Sequence, residues 1–231
     1  MDHEDDDPGT TWNQRARADK PDWMSPRMAW RAIQSALPKD AIISSDIGNN
    51  CAIGNAYPSF DEGRKYLAPG LFGPCGYGLP SIVGAKIGQP HVPVVGFSGD
   101  GAFGIAVNEL TAIGRDEWPA VTQIVFRNYQ WGAEKRNSTL WFDDNFVGTE
   151  LDTKVSYAGI AQACGLLGVQ VKTMDELTAA LNLAIKDQME NNKTTLIEVI
   201  LNQELGEPFR RDAMKRPVQV AGIDAADMAA E

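Results

Sequence analysis

The sequence predicts an α/β fold, a doubly wound parallel sheet with helices on both faces. Three observations carry this. Several short segments are continuously apolar rather than alternating, as in strands covered on both sides. Stretches with helical spacing of apolar residues separate them. Three of the strands run into loops with unusual Gly, Asp and Asn residues, and ligands of such sheets bind beyond the carboxyl ends of strands.

Taken in order, residues 1–24 are polar and acidic, with five Asp or Glu among the first seven. So little apolar surface cannot offset the entropy of ordering, so an arm or linker is expected, although Trp12 and Trp23 are unusual in one. The folded domain is expected over 25–209, with 210–231 as a C-terminal tail. Ser25 before Pro26 is a helix start, since Ser caps and Pro suits the first turn. "PRMAWRAIQSAL" then places Met28, Ile33 and Leu37 roughly on one face. "AIISSDI" (41–47) reads as a buried strand, followed by the loop "GNNCAIGN" and a long loop holding "DEGRKYLAPGLFGPCGYG". "LPSIVGAKIG" reads as a short buried helix, and "VPVVGFSGD" (92–100) as a second strand. In "AVNELTAIGRDE", Val107, Leu110 and Ile113 share a helical face. "VTQIVFRN" (121–128) is a third strand, and "KVSYAGIAQACG" a helix closed by Gly165. "GVQVK" is a short strand, Thr173 and Glu176 form a capping box for a helix over 174–190, and "TTLIEVIL" (194–201) is the last strand.

Bulk properties remove several function classes. The 231 residues carry a net charge of −10. That opposes binding to nucleic acid or to an anionic membrane surface. Cys51, Cys75 and Cys164 are far apart, odd in number and without CxxC spacing, which argues against a disulfide framework or a structural zinc. A reducing, cytoplasmic location is expected. The first residues have neither a basic region nor an apolar run of the signal-peptide kind, and no stretch is apolar enough to span a bilayer.

The informative stretch starts at "GDGAF". Glycines let a backbone approach a ligand closely, and N–H groups at a helix start favour phosphate. Asp100 in that turn would repel phosphate unless a divalent metal lies between them. Mg²⁺ suits this role, because it takes oxygen ligands from few protein groups plus phosphate oxygens. Asn128, at the end of the adjacent strand, supplies an amide oxygen, and Gln130 a backbone carbonyl. One helix and one strand account for the 28-position gap from Asp100 to Asn128.

This pattern resembles the thiamine diphosphate motif of acetolactate synthases and 2-oxo acid decarboxylases. "SDIGNNCAIGNAYPSF", "GRKYLAPGLFGPCGYGLP" and "FRNYQWGAEKRN" resemble the sulfoacetaldehyde acetyltransferase family within that group. The resemblance runs from about Met24 to Phe209 and matches the C-terminal, diphosphate-binding portion of that family. It implies that Asp100 and Asn128 bind Mg²⁺ by side chain and Gln130 by carbonyl. Gly101 and Ala102, after Gly99, would donate N–H groups to the diphosphate, with Asn49 and Asn50 nearby. The Gly73 carbonyl would face the aminopyrimidine, and Cys75 would hold the position that wedges the cofactor into its bent form. Two departures stand out: Arg127 replaces the first Asn of the usual Asn pair, and Cys75 is smaller than the usual wedge.

The implied reaction converts sulfoacetaldehyde and phosphate into acetyl phosphate and sulfite. The cofactor-activating Glu would come from a pyrimidine-binding domain of a neighbouring chain, which implies an oligomer and little turnover by this portion alone. Lys135 and Arg136 are candidates for the sulfonate and phosphate, with Arg64 and Lys65 in a similar position. Glu109 reads as a surface charge. Two other functions stay open: the diphosphate-binding subunit of a sulfopyruvate or other 2-oxo acid decarboxylase, and a non-catalytic cofactor-binding fragment. A nicotinamide site is disfavoured, because "DIGNNCAIG" lacks the GxGxxG fingerprint.

Overall fold

The computed structural model describes residues 23–60, 63, 65–142 and 145–205. The expected tail and nearly all of the expected arm, with Trp12, Arg64 and Phe209, lie outside the described residues. Met24 is buried, and its carbonyl accepts the Asn202 N–H at 3.0 Å, so packing begins by residue 24.

Helix α1 (Pro26–Ala36) opens with the Oγ of Ser25 accepting the Met28 N–H at 3.2 Å. The chain continues through β1 (Ile42–Ser45), α2 (Asn49–Gly54), β2 (Tyr66–Leu67), α3 (Gly78–Gly88) and β3 (Val94–Gly99). Then come α4 (Asp100–Ala106), a 3-10 turn (Val107–Glu109), α5 (Leu110–Ile113), β4 (Thr122–Arg127) and α6 (Gly132–Trp141). Last are α7 (Tyr157–Ala163), β5 (Leu167–Val171), α8 (Met174–Glu190) and β6 (Thr195–Ile200). The strands form one parallel sheet in the order β2-β1-β3-β4-β6-β5. From β1 the chain goes outward to β2 and then returns inward to β3. The carboxyl ends of β1 and β3 therefore flank the point where the winding reverses.

The alternation of side chains divides the core in two. Val95, Phe97, Ile124, Phe126, Ile197 and Val199 face one layer, where Trp30 and Ile33 of α1 and Leu177 and Leu181 of α8 cover them. Val94, Val121, Val125 and Leu196 face the other, under Leu79, Ile82, Phe103, Leu110 and Ala161. Both faces of the central strands are thereby removed from water, which is why they read as unbroken apolar runs. The capping box of α8 forms as expected: Thr173 Oγ1 accepts the Glu176 N–H, and the Glu176 carboxylate accepts the Thr173 N–H.

Three elements differ from the expectation. "GNNCAIGN" carries the short helix α2 instead of only a loop, because the Trp30 indole donates to the Asn50 carbonyl at 2.9 Å and its ring packs on Gly54. The helix expected over 106–117 begins at Asp100, is interrupted by the 3-10 turn and ends at Ile113. β2 is a two-residue edge strand, too short to show a pattern. No helix among the described residues is long and apolar enough to cross a membrane.

Candidate functional site

The carboxyl ends of β1, β3 and β4 open on one cleft. Its lining holds Asn49, Asn50, Gly73, Cys75, Gly99, Asp100, Gly101, Ala102, Asn128 and Gln130, every residue the sequence singled out for cofactor or metal. Ile47, Gly48, Trp131, Gly132, Ala133 and Glu134 complete it.

β3 delivers Asp100 to this cleft. Gly99 is extended and α4 starts at Asp100, whose side chain is 1% exposed. Oδ1 accepts the Gly101 N–H at 3.0 Å. Oδ2 accepts the Tyr129 N–H at 2.6 Å and Nη1 of Arg127 at 3.1 Å. Burial pushes the carboxyl up to about 6, against the pull of the Arg127 charge and these hydrogen bonds. Gly101 is needed for close packing: a Cβ there would lie 2.7 Å from the Trp131 ring.

β4 delivers the amide. Asn128 is 1% exposed, and Tyr129 turns the chain with a left-handed φ of 61°. That conformation is unusual for a residue other than Gly, Asn or Asp. It holds the Tyr129 N–H on Asp100, while Gln130 pairs with Glu150 in an antiparallel bridge. The bridge is closed by Trp131 N–H to the Thr149 carbonyl at 2.7 Å and Leu151 N–H to the Tyr129 carbonyl at 2.8 Å. These are the neighbours' peptide groups, so the carbonyl of Gln130 itself points away from the 149–151 segment.

The polar atoms left over fit a ligand. The Oδ1 atoms of Asn49, Asn50 and Asn128 are buried without a hydrogen-bond partner. Such atoms are costly to bury unless something meets them. One carboxylate, one amide oxygen and one backbone carbonyl form a hard oxygen set of the kind Mg²⁺ takes. Among the described residues there is no cluster of three or more His, Cys, Asp or Glu that would suit a softer metal.

Two residues near the cleft were not assigned a role from sequence. Asp46 directly follows β1 and is 3% exposed. Its carboxylate accepts from the N–H groups of Ile47, Gly76 and Gly78 and from the Ser98 hydroxyl, at 2.8 to 3.2 Å. It ties the turn bearing Gly73 and Cys75 to the ends of β1 and β3. The only signal was an acid closing an apolar strand. Arg127, noted as a departure, is 1% exposed and lies behind Asp100.

Lys135 and Arg136 lie on α6 and do not line the cleft. The Nζ of Lys135 donates to Glu150 at 2.6 Å, and Arg136 is 8% exposed. Lys65 donates to the Asp40 carbonyl at 3.3 Å, and Glu109 is exposed. Cys75 is exposed, and partial burial together with the charges of Asp46 and Glu134 raises its thiol pKa. Cys51 is buried, and burial pushes its thiol up to about 12.

Residues 46–199 match the family described as thiamine pyrophosphate enzyme, C-terminal TPP binding domain. The chain belongs to this family. The match spans the three strand-end loops that form the cleft. The chain is 84% identical over 228 residues to a sulfoacetaldehyde acetyltransferase of Roseovarius nubinhibens, covering 99% of this chain and 38% of that protein. It is 43% identical over 198 residues to the sulfoacetaldehyde acetyltransferase of Castellaniella defragrans, covering 86% of this chain and 33% of the relative. The chain thus spans 33–38% of the length of these relatives. A solved 4-hydroxybenzoylformate decarboxylase of Rhodococcus jostii RHA1, described as thiamine diphosphate-dependent, superposes with a TM-score of 0.69 at 24% identity. It covers 78% of this chain and 33% of that one, and it shares the fold.

Proposed function

We propose that this chain is the diphosphate- and Mg²⁺-binding portion of a sulfoacetaldehyde acetyltransferase, which forms acetyl phosphate and sulfite from sulfoacetaldehyde and phosphate. The observation that carries this is the 84% identity, sustained over 228 residues, to a relative of that name. A match of this length extends far beyond the cofactor motif, into the loops that shape the cleft.

In this reading Asp100 and the free Oδ1 of Asn128 hold Mg²⁺, with the carbonyl of Gln130 as a third protein ligand. The N–H groups of Gly101 and Ala102 face the diphosphate, with Asn49 and Asn50 nearby. The Gly101 N–H is shared, since it also donates to Asp100. Gly73 and Cys75 meet the pyrimidine end, on a turn that Asp46 holds in place. Thiamine diphosphate, when bound, supplies a nucleophilic carbon for attack on an aldehyde carbon. The chain's contribution is to bind and orient it and to balance the diphosphate charge.

A pyrimidine-binding domain, from the same or a neighbouring polypeptide, would complete the site and supply the Glu that the cofactor ring needs. Leu71 and Phe72, adjacent to Gly73, are 109% and 90% exposed, an apolar pair that such a domain would bury. The free thiols of Cys51, Cys75 and Cys164 suit a reducing compartment, so the cytoplasm is the proposed location.

The test is a calorimetric titration of thiamine diphosphate into the chain, with and without Mg²⁺ and with and without an added pyrimidine-binding domain, using Asp100→Ala as control. Metal-dependent binding that the variant lacks, followed by sulfite release from sulfoacetaldehyde and phosphate, is the expected result. Release of CO₂ from a 2-oxo acid in place of sulfite would replace the substrate assignment. Binding indifferent to Mg²⁺ and to Asp100 would overturn the site.

A further inference from the structure

Arg127 ends β4 directly behind the Asp100 carboxylate, and the protein fixes its guanidinium from several sides. Nη1 lies 3.1 Å from Oδ2 of Asp100, and Nε lies 3.7 Å from Oε1 of Glu198. Nη2 donates to the carbonyls of Asp152 and Val155. The guanidinium carbon lies 4.3 Å from the centroid of the Tyr129 ring and 5.1 Å from that of Tyr157. Glu198 is fully buried and is itself held by the Ser156 hydroxyl at 2.8 Å and the Ala158 N–H at 3.2 Å. A planar group clamped at each end has little freedom to swing away.

The consequence falls on the two oxygens of Asp100, which are not equivalent. Oδ2 receives both the Arg127 and the Tyr129 donors, which uses its two lone pairs. Oδ1 receives one donor, the Gly101 N–H, and keeps a lone pair for a cation. Ca²⁺ takes more oxygens than Mg²⁺ and often grips a carboxylate by both of them, whereas Mg²⁺ demands a compact octahedron.

We propose that Arg127 is a positioning residue for metal choice: by occupying Oδ2 it limits Asp100 to one-oxygen ligation, and so favours Mg²⁺ over Ca²⁺. The inference rests on the metal site proposed above. If Asp100, Asn128 and Gln130 each gave one oxygen to Mg²⁺, the protein would leave room for further oxygen ligands.

The test measures Mg²⁺ and Ca²⁺ dissociation constants by calorimetry at saturating thiamine diphosphate. It uses the full chain with an added pyrimidine-binding domain, as wild type and as Arg127→Met. Losing a positive charge beside the site tightens both cations, so the ratio of the two constants isolates coordination from charge. The expected result is a shift of that ratio toward Ca²⁺ by about tenfold, the scale of changes made behind a metal ligand. Arg127→Met leaves Glu198 buried without its counter-ion, so the double variant Arg127→Met/Glu198→Gln is measured as well, with circular dichroism to check folding. An unchanged ratio in the folded variant, with the wild type binding metal, overturns the role of Arg127 and leaves the metal site standing. A wild type that binds neither cation overturns both.

Discussion

The backbone N–H of Tyr129 donates to Oδ2 of Asp100 at 2.6 Å, joining residues 29 positions apart. This bond closes the distance between the turn after β3 and the loop after β4. It also explains the left-handed φ of Tyr129, since that rotation holds the N–H on the carboxylate while the chain moves on to Gln130. Strain of this kind persists where surrounding bonds fix it, and here they lie at the cleft.

Asp100→Asn tests the carboxylate with almost no change in shape. The amide oxygen can still accept from the Tyr129 N–H, so the secondary structure should be retained by circular dichroism. Affinity for Mg²⁺ at saturating thiamine diphosphate should fall on the order of 100-fold or more, because the only carboxylate in the proposed ligand set is gone. Metal-dependent binding of wild-type strength in this variant would remove Asp100 from the site.

The pH dependence has two opposed limbs. With its carboxyl at about 6 against the ordinary 3.8, Asp100 retains a proton in the folded chain that the unfolded chain has released between those values. Its contribution to metal-free stability is therefore complete below about 3.8 and is lost as the pH rises through about 6. Metal binding runs the other way, since the ligand must be ionised, and Mg²⁺ affinity should weaken as the pH falls below about 6. Thermal melts with and without Mg²⁺ and cofactor, subtracting the same melts of Asp100→Asn, read both limbs. A Mg²⁺ affinity that stays level from pH 8 down to 5 would contradict the assignment.

Asp46→Ala should loosen the turn carrying Gly73 and Cys75. It strips the acceptor from the N–H groups of Gly76 and Gly78, and a buried donor left unpaired costs about 1–3 kcal/mol. Denaturant unfolding should show that loss, and thiamine diphosphate affinity should drop by more than Mg²⁺ affinity does. Equal losses for the two ligands would mean that Asp46 supports the whole sheet end and not this turn.

Gly54→Ala should disturb the cleft from the opposite side of α2. The added Cβ would lie 2.1 Å from the Trp30 ring, so the indole that donates to the Asn50 carbonyl must move. Overpacking of this kind costs about 1–3 kcal/mol, and a lowered melting temperature with quenched or shifted Trp30 fluorescence would record it. A variant with unaltered melting would show that the indole accommodates the methyl group at no cost.

Much of this was legible in the sequence because it is local or periodic. Four of the five longer strands announced themselves as apolar runs, β5 only as the short "GVQVK", and Thr173 with Glu176 marked the start of α8 three residues apart. The meeting of Asp100 and Asn128 at one cleft was legible because each follows a buried strand, and one helix and one strand return the chain to the same edge of the sheet. The rest depended on contacts between distant segments. α2 is stabilised by Trp30, about twenty residues earlier, and nothing in "NNCAIG" alone favours a helix. Arg127 showed only as a departure from a motif; that it is buried between Asp100 and Glu198 follows from β4 pairing with β6. Lys135 and Arg136 illustrate the converse, since nearness to the motif in sequence did not place them on the lining.

The segment that follows β6 is stitched to the cleft from outside. Gln203 Nε2 donates to the Asn128 carbonyl at 3.3 Å, Gln130 Nε2 donates to the Gln203 carbonyl at 3.0 Å, and Glu204, 1% exposed, pairs with Arg27 at 2.9 Å. Whatever orders Asn128 and Gln130 must therefore also order this strap. Loading of the cleft and slowed amide exchange over 201–205 should rise together, so a segment outside the cleft lining becomes a gauge of occupancy.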